Sequence, residues 1–409
     1  MRNFDTIIIG GGVAGLSTAY FLAKNGQKSV LVLEQEKKLG GHASGRNAGM
    51  LRQALSDPVL VDLAVQSQRF YSRASKQGWK NLNLQTNGSL LLSTNEDIEE
   101  LRKIETTIQM FGINPRWLSK KEVAKKVSIL ENGNFDHALF CPTDAMVDIE
   151  ALLQGFLGYL KTQGISVFCG KSLETVHRAD GGFLVQAGNQ KWFTQKIVNA
   201  AGAWAGWVAE KVGATEIPLM AYRRHLFFAS TFHLPPSTFF KWPFVWDISH
   251  HFYFRPLENK IMFSPCDKTP EKLGNRREKV NLAMRKVLDQ KLKNFSERLA
   301  SFRMDKVKSG LRTMTPDGRF VIGEDTKIKN FYWVAGLGGH GVTTCFSVGK
   351  LAADMILGKK VNHELKKALS PERFLSVSLR GGPQADEAIS AITVLSHRLP
   401  RPPKAAGSQ

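Results

Sequence analysis

The run Gly10-Gly11-Gly12-Val13-Ala14-Gly15 follows a short apolar stretch, residues 6–9, and opens a segment of helical period, residues 13–25, that stops at Gly26. Residues 29–33 then form a second apolar run. A glycine fingerprint in this strand–turn–helix–strand context binds a dinucleotide. Gly10 allows the tight turn, Gly12 lets the backbone approach a pyrophosphate, and Gly15 lets helix and strand pack closely. Val13 and Ala14 begin the helix, whose unpaired N–H groups face the phosphates. Glu34 ends the second strand at the offset of about twenty residues where an acid accepts ribose hydroxyls. Such an acid disfavours a 2′-phosphate.

The fingerprint alone does not separate NAD from FAD, but its continuation does. Residues 40–49 read Gly-Gly-His-Ala-Ser-Gly-Arg-Asn-Ala-Gly. Here Gly41, His42, Ala43, Ser44, Arg46, Asn47, Ala48 and Gly49 can run along a pyrophosphate and ribityl chain and hydrogen-bond to it. NAD needs no such second segment, so FAD is the expected cofactor.

Further apolar or alternating runs at 88–93, 165–169, 196–200 and 331–335 read as strands, and 60–75, 96–111 and 148–163 read as helices. Residues 220–265 are dense in aromatics and alternate as antiparallel strands do. Parallel-sheet elements thus lie near the start, middle and end of the 409 residues, with aromatic strands between them. The expected fold is α/β: a Rossmann-like FAD-binding domain interleaved with an α+β substrate domain on an antiparallel sheet. The FAD domain takes 1–80, 145–215 and 305–365, and the substrate domain takes 81–144 and 216–304. Residues 375–409 carry Gly-Gly-Pro and Arg-Pro-Pro-Lys and read as a disordered tail.

Lys and Arg number 56 against 36 Asp and Glu, a formal net charge of +20. Such a balance suits nucleic acid, an anionic membrane or an acidic ligand. Lysines cluster on the helical stretches 119–126 and 286–293, and no RNA-binding motif accompanies them, so the charge reads as a solvated basic surface. No nucleic-acid partner is expected. The four cysteines are scattered without a C-x-x-C pair, so neither a metal nor a disulfide is expected. No run of 18 apolar residues occurs, and residue 1 leads almost directly into the first strand. A cytoplasmic location is expected, with peripheral contact at the inner membrane face left open.

Several separated motifs, in order, resemble the D-amino-acid oxidase superfamily of FAD-dependent amine oxidoreductases, nearest its D-arginine dehydrogenase branch. They are His42-Ala43-Ser44-Gly45-Arg46, Val198-Asn199-Ala200-Ala201-Gly202-Ala203-Trp204, Arg223-Arg224, Phe252-Tyr253, Gly310-Leu311-Arg312, Asp317-Gly318 and residues 331–341. The resemblance implies oxidation of a C–N bond by hydride transfer to flavin N5, giving an imine that hydrolyses. It implies Arg312 as the carboxylate-binding arginine and Tyr253 as a second donor. Arg223 and Arg224 are adjacent on a strand, so one of them faces the site; Arg223 is the slightly favoured one. Further flavin contacts are expected from Leu173, Ala201, Gly202, Trp204, Gly310, Leu337, Gly338, Gly339, His340, Gly341, Val342 and Thr343. Backbone N–H groups around His340, more than its ring, would face negative charge on the flavin.

Relatives exist in which a histidine in a segment like that of His42 carries the flavin covalently; noncovalent binding is expected here. Gly88 and Leu51 stand where the D-arginine enzyme has an acid and a tyrosine, and Leu337 where it has a glutamine. A smaller or more apolar substrate follows. The electron acceptor, whether oxygen, a quinone or an electron-transfer protein, stays open, and Lys260 is a candidate for activating oxygen. A tRNA-modifying flavoenzyme and a flavoprotein assembly factor are the alternative functions.

Overall fold

The computed structural model describes residues 2–76, 79, 82–230, 239–271 and 280–375. The expected tail lies outside them, apart from residue 375 itself. Two large sheets organise the chain. The first has eight strands. Its parallel core runs Ser166–Phe168, Val30–Leu33, Arg2–Ile9, Gln190–Asn199 and Phe331–Ala335, with Val321–Glu324 antiparallel at one edge. Strands such as Val30–Leu33 and Phe331–Ala335 are buried along their whole length, as parallel strands covered on both faces must be. Helices Val13–Lys24, Ile149–Thr162 and Gly341–Ile356 contribute to the core on one face, with Leu16, Phe156 and Phe346 buried together. The helix Ala205–Val212 packs on the other.

The second sheet has nine strands. Its central pairs, Met220–Ser230 with Lys260–Ser264 and Lys260–Ser264 with Phe252–Pro256, are antiparallel as expected. The pairing of Phe244–Asp247 with Ser89–Ser93 is parallel, a departure from the expected antiparallel sheet. The strand Met304–Met314 corrects a domain boundary: it pairs with Met220–Ser230 and so belongs to the second sheet, not to the nucleotide domain. The chain re-enters the first sheet at Val321–Glu324. The helix Ala283–Phe295 buries Leu288, Leu292 and Phe295 against this sheet's aromatic face. Among the described residues no helix is long and apolar enough to cross a membrane. The two sheets meet along one long cavity.

Candidate active site

Strand Arg2–Ile9 delivers the glycine turn to one end of this cavity. Gly10 has φ +116°, a conformation side chains resist, and a Cβ there would collide with the Ala200 carbonyl. A Cβ on Gly15 would collide with the Gly10 carbonyl, so its role is helix–strand packing and it does not line the cavity. The helix Val13–Lys24 starts with no acid in its first turn and no capping side chain on Gly12. Its Val13 N–H donates instead to Ser44 Oγ at 3.0 Å, which ties the 40–49 segment to the helix end. Glu34, 7% exposed, accepts from the Gly11 N–H at 2.7 Å and the Glu36 N–H at 2.9 Å. Burial pushes its carboxyl up, against the pull of those two donors.

The 40–49 segment forms the middle wall. Gly41, His42, Ala43, Ser44, Arg46, Asn47 and Ala48 line the cavity, as do Leu173, Ala201, Gly202 and Trp204. His42 Nε2 lies 3.1 Å from Glu36 Oε1, and its ring centroid is 4.4 Å from that of Trp204. Arg46 turns back to the Gly41 and Ser309 carbonyls, both at 3.0 Å, and lies under Gly310. Gly49 does not reach the cavity. Its φ is +67°, and a Cβ would sit 2.6 Å from Arg255 Nη1. Arg255 is a residue the sequence reasoning missed. From the second sheet it donates to the Ala48 carbonyl at 2.7 Å and the Gly49 carbonyl at 2.9 Å, and burial lowers its pKa to about 10. It clamps this wall across the domain junction.

The glycine-rich loop after Phe331–Ala335 closes the cavity. Leu337, Gly338, Gly341 and Val342 line it. Gly339, His340 and Thr343, expected as flavin contacts, are not in its lining. Gly339 packs on the Arg312 guanidinium, 2.9 Å from its would-be Cβ to Nη1. Thr343 Oγ donates to the Met50 carbonyl and accepts from the Arg52 N–H, each at 3.2 Å, so it ties helix to neighbouring strand. His340 lies near Arg52 and Arg312; burial and these two cations push its pKa down to about 3, leaving the ring neutral.

At the far end, Arg312 and Tyr253 come together. Arg312 Nη2 donates to the Tyr253 hydroxyl at 3.4 Å. Tyr253 is fully buried and stacks on Trp246, with centroids 4.7 Å apart and planes at 25°. The Arg52 guanidinium carbon lies 4.3 Å from the Trp246 ring centroid. Neither Arg52 nor Trp246 was singled out in the sequence.

The structure corrects the choice between the paired arginines. Arg223 points away, with Nη2 2.9 Å from Glu271 Oε1 and Nη1 donating to Ser309 Oγ at 3.1 Å. Arg224, on the opposite face of the strand, lines the cavity. Lys260 is no neighbour of the site either: it pairs with Asp305 at 3.3 Å, away from the cavity lining. Gly88 is outside the lining too, with φ +80° and the Phe140 ring 2.6 Å from its would-be Cβ. Leu51 packs into the nucleotide-domain core, and the residue that packs with Tyr253 is Met50. A one-residue shift on a strand reverses the face.

The cavity encloses ≈ 1350 Å³ of non-atom space, its open mouth included. Its lining combines a ribose-type acid, a helix N-terminus and an arginine–tyrosine pair. Such a shape suits FAD plus a small substrate.

A family model described as FAD dependent oxidoreductase (DAO) matches residues 5–355. Glycine oxidase of Bacillus subtilis (strain 168) is 23% identical over 387 residues, covering 92% of this chain and 100% of that protein. FAD-dependent oxidoreductase domain-containing protein 1 of Bos taurus is 24% identical over 401 residues, covering 86% and 81%. The crystal structure of L-proline dehydrogenase from P. horikoshii is similar in fold, with a TM-score of 0.81 at 20% identity over 91% of this chain and 98% of that one.

Proposed function

Since the chain belongs to the DAO family of FAD-dependent oxidoreductases, we propose that it oxidises the CH–NH bond of an amino acid or secondary amine that carries a carboxylate. The observation that carries this reading is the Arg312–Tyr253 pair in the lining of the cavity that Glu34 also lines. A guanidinium holds a carboxylate through charge-assisted, often bidentate hydrogen bonds. The Tyr253 hydroxyl adds a donor, and its stacking on Trp246 keeps that hydroxyl in place. Leu226 and Leu337 line the same cavity, and apolar walls lower the local dielectric, which strengthens an ionic contact.

Glu34 would hold the adenosine ribose, the N-terminus of helix Val13–Lys24 with Ser44 the pyrophosphate, and the 46–48 stretch with Gly310 and Leu337–Gly338 the flavin. Bound there, FAD supplies a two-electron acceptor that takes hydride from the substrate carbon next to nitrogen. The chain's own part is placement: fixing the carboxylate fixes that carbon. The helix Gly341–Ile356 directs its N-terminus toward the cavity and favours negative charge there. The oxidised product is an imine, which water hydrolyses to a carbonyl compound and an amine.

The test is anaerobic bleaching of the holoenzyme's flavin by a panel of D- and L-amino acids, glycine and N-methylglycine. Bleaching by carboxylate-bearing amines, and not by the same amines lacking the carboxylate, supports the reading. Bleaching by none of them sinks it.

A further inference from the structure

Resting on that reading, we propose that the substrate carries two acid groups, an amino dicarboxylate, with Arg224 receiving the second. Arg224 and Arg312 sit on neighbouring antiparallel strands. Arg224 is opposite Gly310, which has no side chain to meet it, and Arg312 lies two residues further along on the same face. Both line the cavity. Arg312 has the Tyr253 hydroxyl as a partner. Nε and Nη1 of Arg224 are buried and have no hydrogen-bond partner among the described residues. Two buried N–H-bearing nitrogens of a cation left without an acceptor are costly, and a ligand acceptor would satisfy them.

Among the described residues no acceptor bonds these two nitrogens. Asp267 is the acid nearest in effect; the Arg224 charge helps lower its pKa, but its oxygens contact the His225 N–H at 2.8 Å and the His225 ring at 2.7 Å and make no hydrogen bond to Nε or Nη1 of Arg224. The His225 ring accepts from the Asn281 N–H through its other nitrogen at 2.9 Å. Three cations lie near Arg224 as well. Lys268 and Lys291 both have pKa values lowered, by burial first and then by Arg224. Arg312 is pushed the same way by burial and then by Arg224. One α-carboxylate would occupy Arg312 and Tyr253 and leave Arg224 unpaired amid like charges. A second carboxylate removes both costs. Of the sequence-based expectation of a smaller or more apolar substrate, this proposal keeps the smaller size and departs from the apolar character, because Arg224 and Arg312 come from strands far apart in the chain.

The experiment compares matched probes on the FAD-loaded enzyme under anaerobic rapid mixing: aspartate against alanine, and N-(carboxymethyl)glycine against N-methylglycine. Malonate against acetate, followed by thermal shift, gives a readout without turnover. A charge-assisted pair predicts a diacid preference of about 10- to 100-fold in the second-order rate of flavin reduction. Arg224→Met should bring that ratio close to one and abolish the extra stabilisation by malonate, while Arg224→Lys keeps part of both. Equal rates for diacid and monoacid overturn the proposal. So does an Arg224→Met variant that slows both by the same factor, because Arg224 then shares a single carboxylate with Arg312; the proposed function survives that result. Flavin that no probe reduces overturns both.

Discussion

The Tyr253 hydroxyl lies 3.4 Å from Nη2 of Arg312, although 59 residues separate the two in the chain. The contact is long for a hydrogen bond, and a carboxylate accepting from both groups would draw on it. Tyr253→Phe should keep FAD and the fold, because the ring still stacks on Trp246. One neutral donor is worth about 0.5–1.5 kcal/mol, so KM for a carboxylate substrate should rise roughly 2- to 10-fold. Steady-state kinetics check this; an unchanged KM would remove Tyr253 from the carboxylate site.

Arg255 should control flavin retention and not substrate choice. It donates to the Ala48 and Gly49 carbonyls, which belong to the segment beside the cavity. Arg255→Met leaves those carbonyls without their buried donor, at a cost of about 1–3 kcal/mol. Weaker FAD binding on dilution or dialysis is expected, with the order of substrate preference unchanged. Full flavin content with altered substrate preference would contradict the clamp.

Arg223 should behave as a structural residue. Its guanidinium is spent on Glu271 and Ser309. Arg223→Gln should lower the melting temperature, by a loss of about 1–3 kcal/mol, and should leave the diacid-to-monoacid ratio alone. A collapse of that ratio in Arg223→Gln would place the wrong arginine in the cavity.

His340 should make stability fall in acid. Its folded pKa of about 3 lies below the ordinary 6.5. The unfolded chain therefore takes up the proton first. The neutral ring's contribution is complete above about pH 6.5 and is lost progressively as pH falls toward 3. His340→Asn should flatten the melting temperature against pH between 6.5 and 4 relative to the parent. An identical slope in both proteins would show that the ring protonates freely.

FAD should be released by acid precipitation. His42 Nε2 is directed at Glu36 and its ring packs against Trp204, close to the Glu34 end of the cavity. Flavin that stays with the precipitated protein would show a covalent link and reassign His42 or a neighbour.

The nucleotide half was legible because its signals are local. Gly10, Gly15 and Glu34 lie within one strand–helix–strand unit, and backbone geometry alone dictates their residue types. The substrate half was legible only in outline. Alternation along Met220–Ser230 separates two faces, but only the pairing with Met304–Met314 shows that the Arg224 face, and not the Arg223 face, meets the cavity. Met50 and Leu51 present the same ambiguity. Arg52 over Trp246 and Arg255 under Gly49 join residues about 200 apart, a pairing that neither composition nor spacing encodes. Thr343 was misassigned because a helix's first turn points some side chains into the cavity and others back to the sheet.

The central claim, that Arg312 fixes a carboxylate so that the neighbouring carbon meets the flavin, is tested most directly by the anaerobic reductive half-reaction of Arg312→Ala. Misplacement by about 1 Å can cost on the order of a hundredfold in rate. The account predicts a variant with normal flavin content and a flavin reduction rate at least that much slower, with Arg312→Lys in between, since lysine keeps the charge and loses the fork. A variant reduced by the carboxylate substrate at the parental rate and affinity would contradict it.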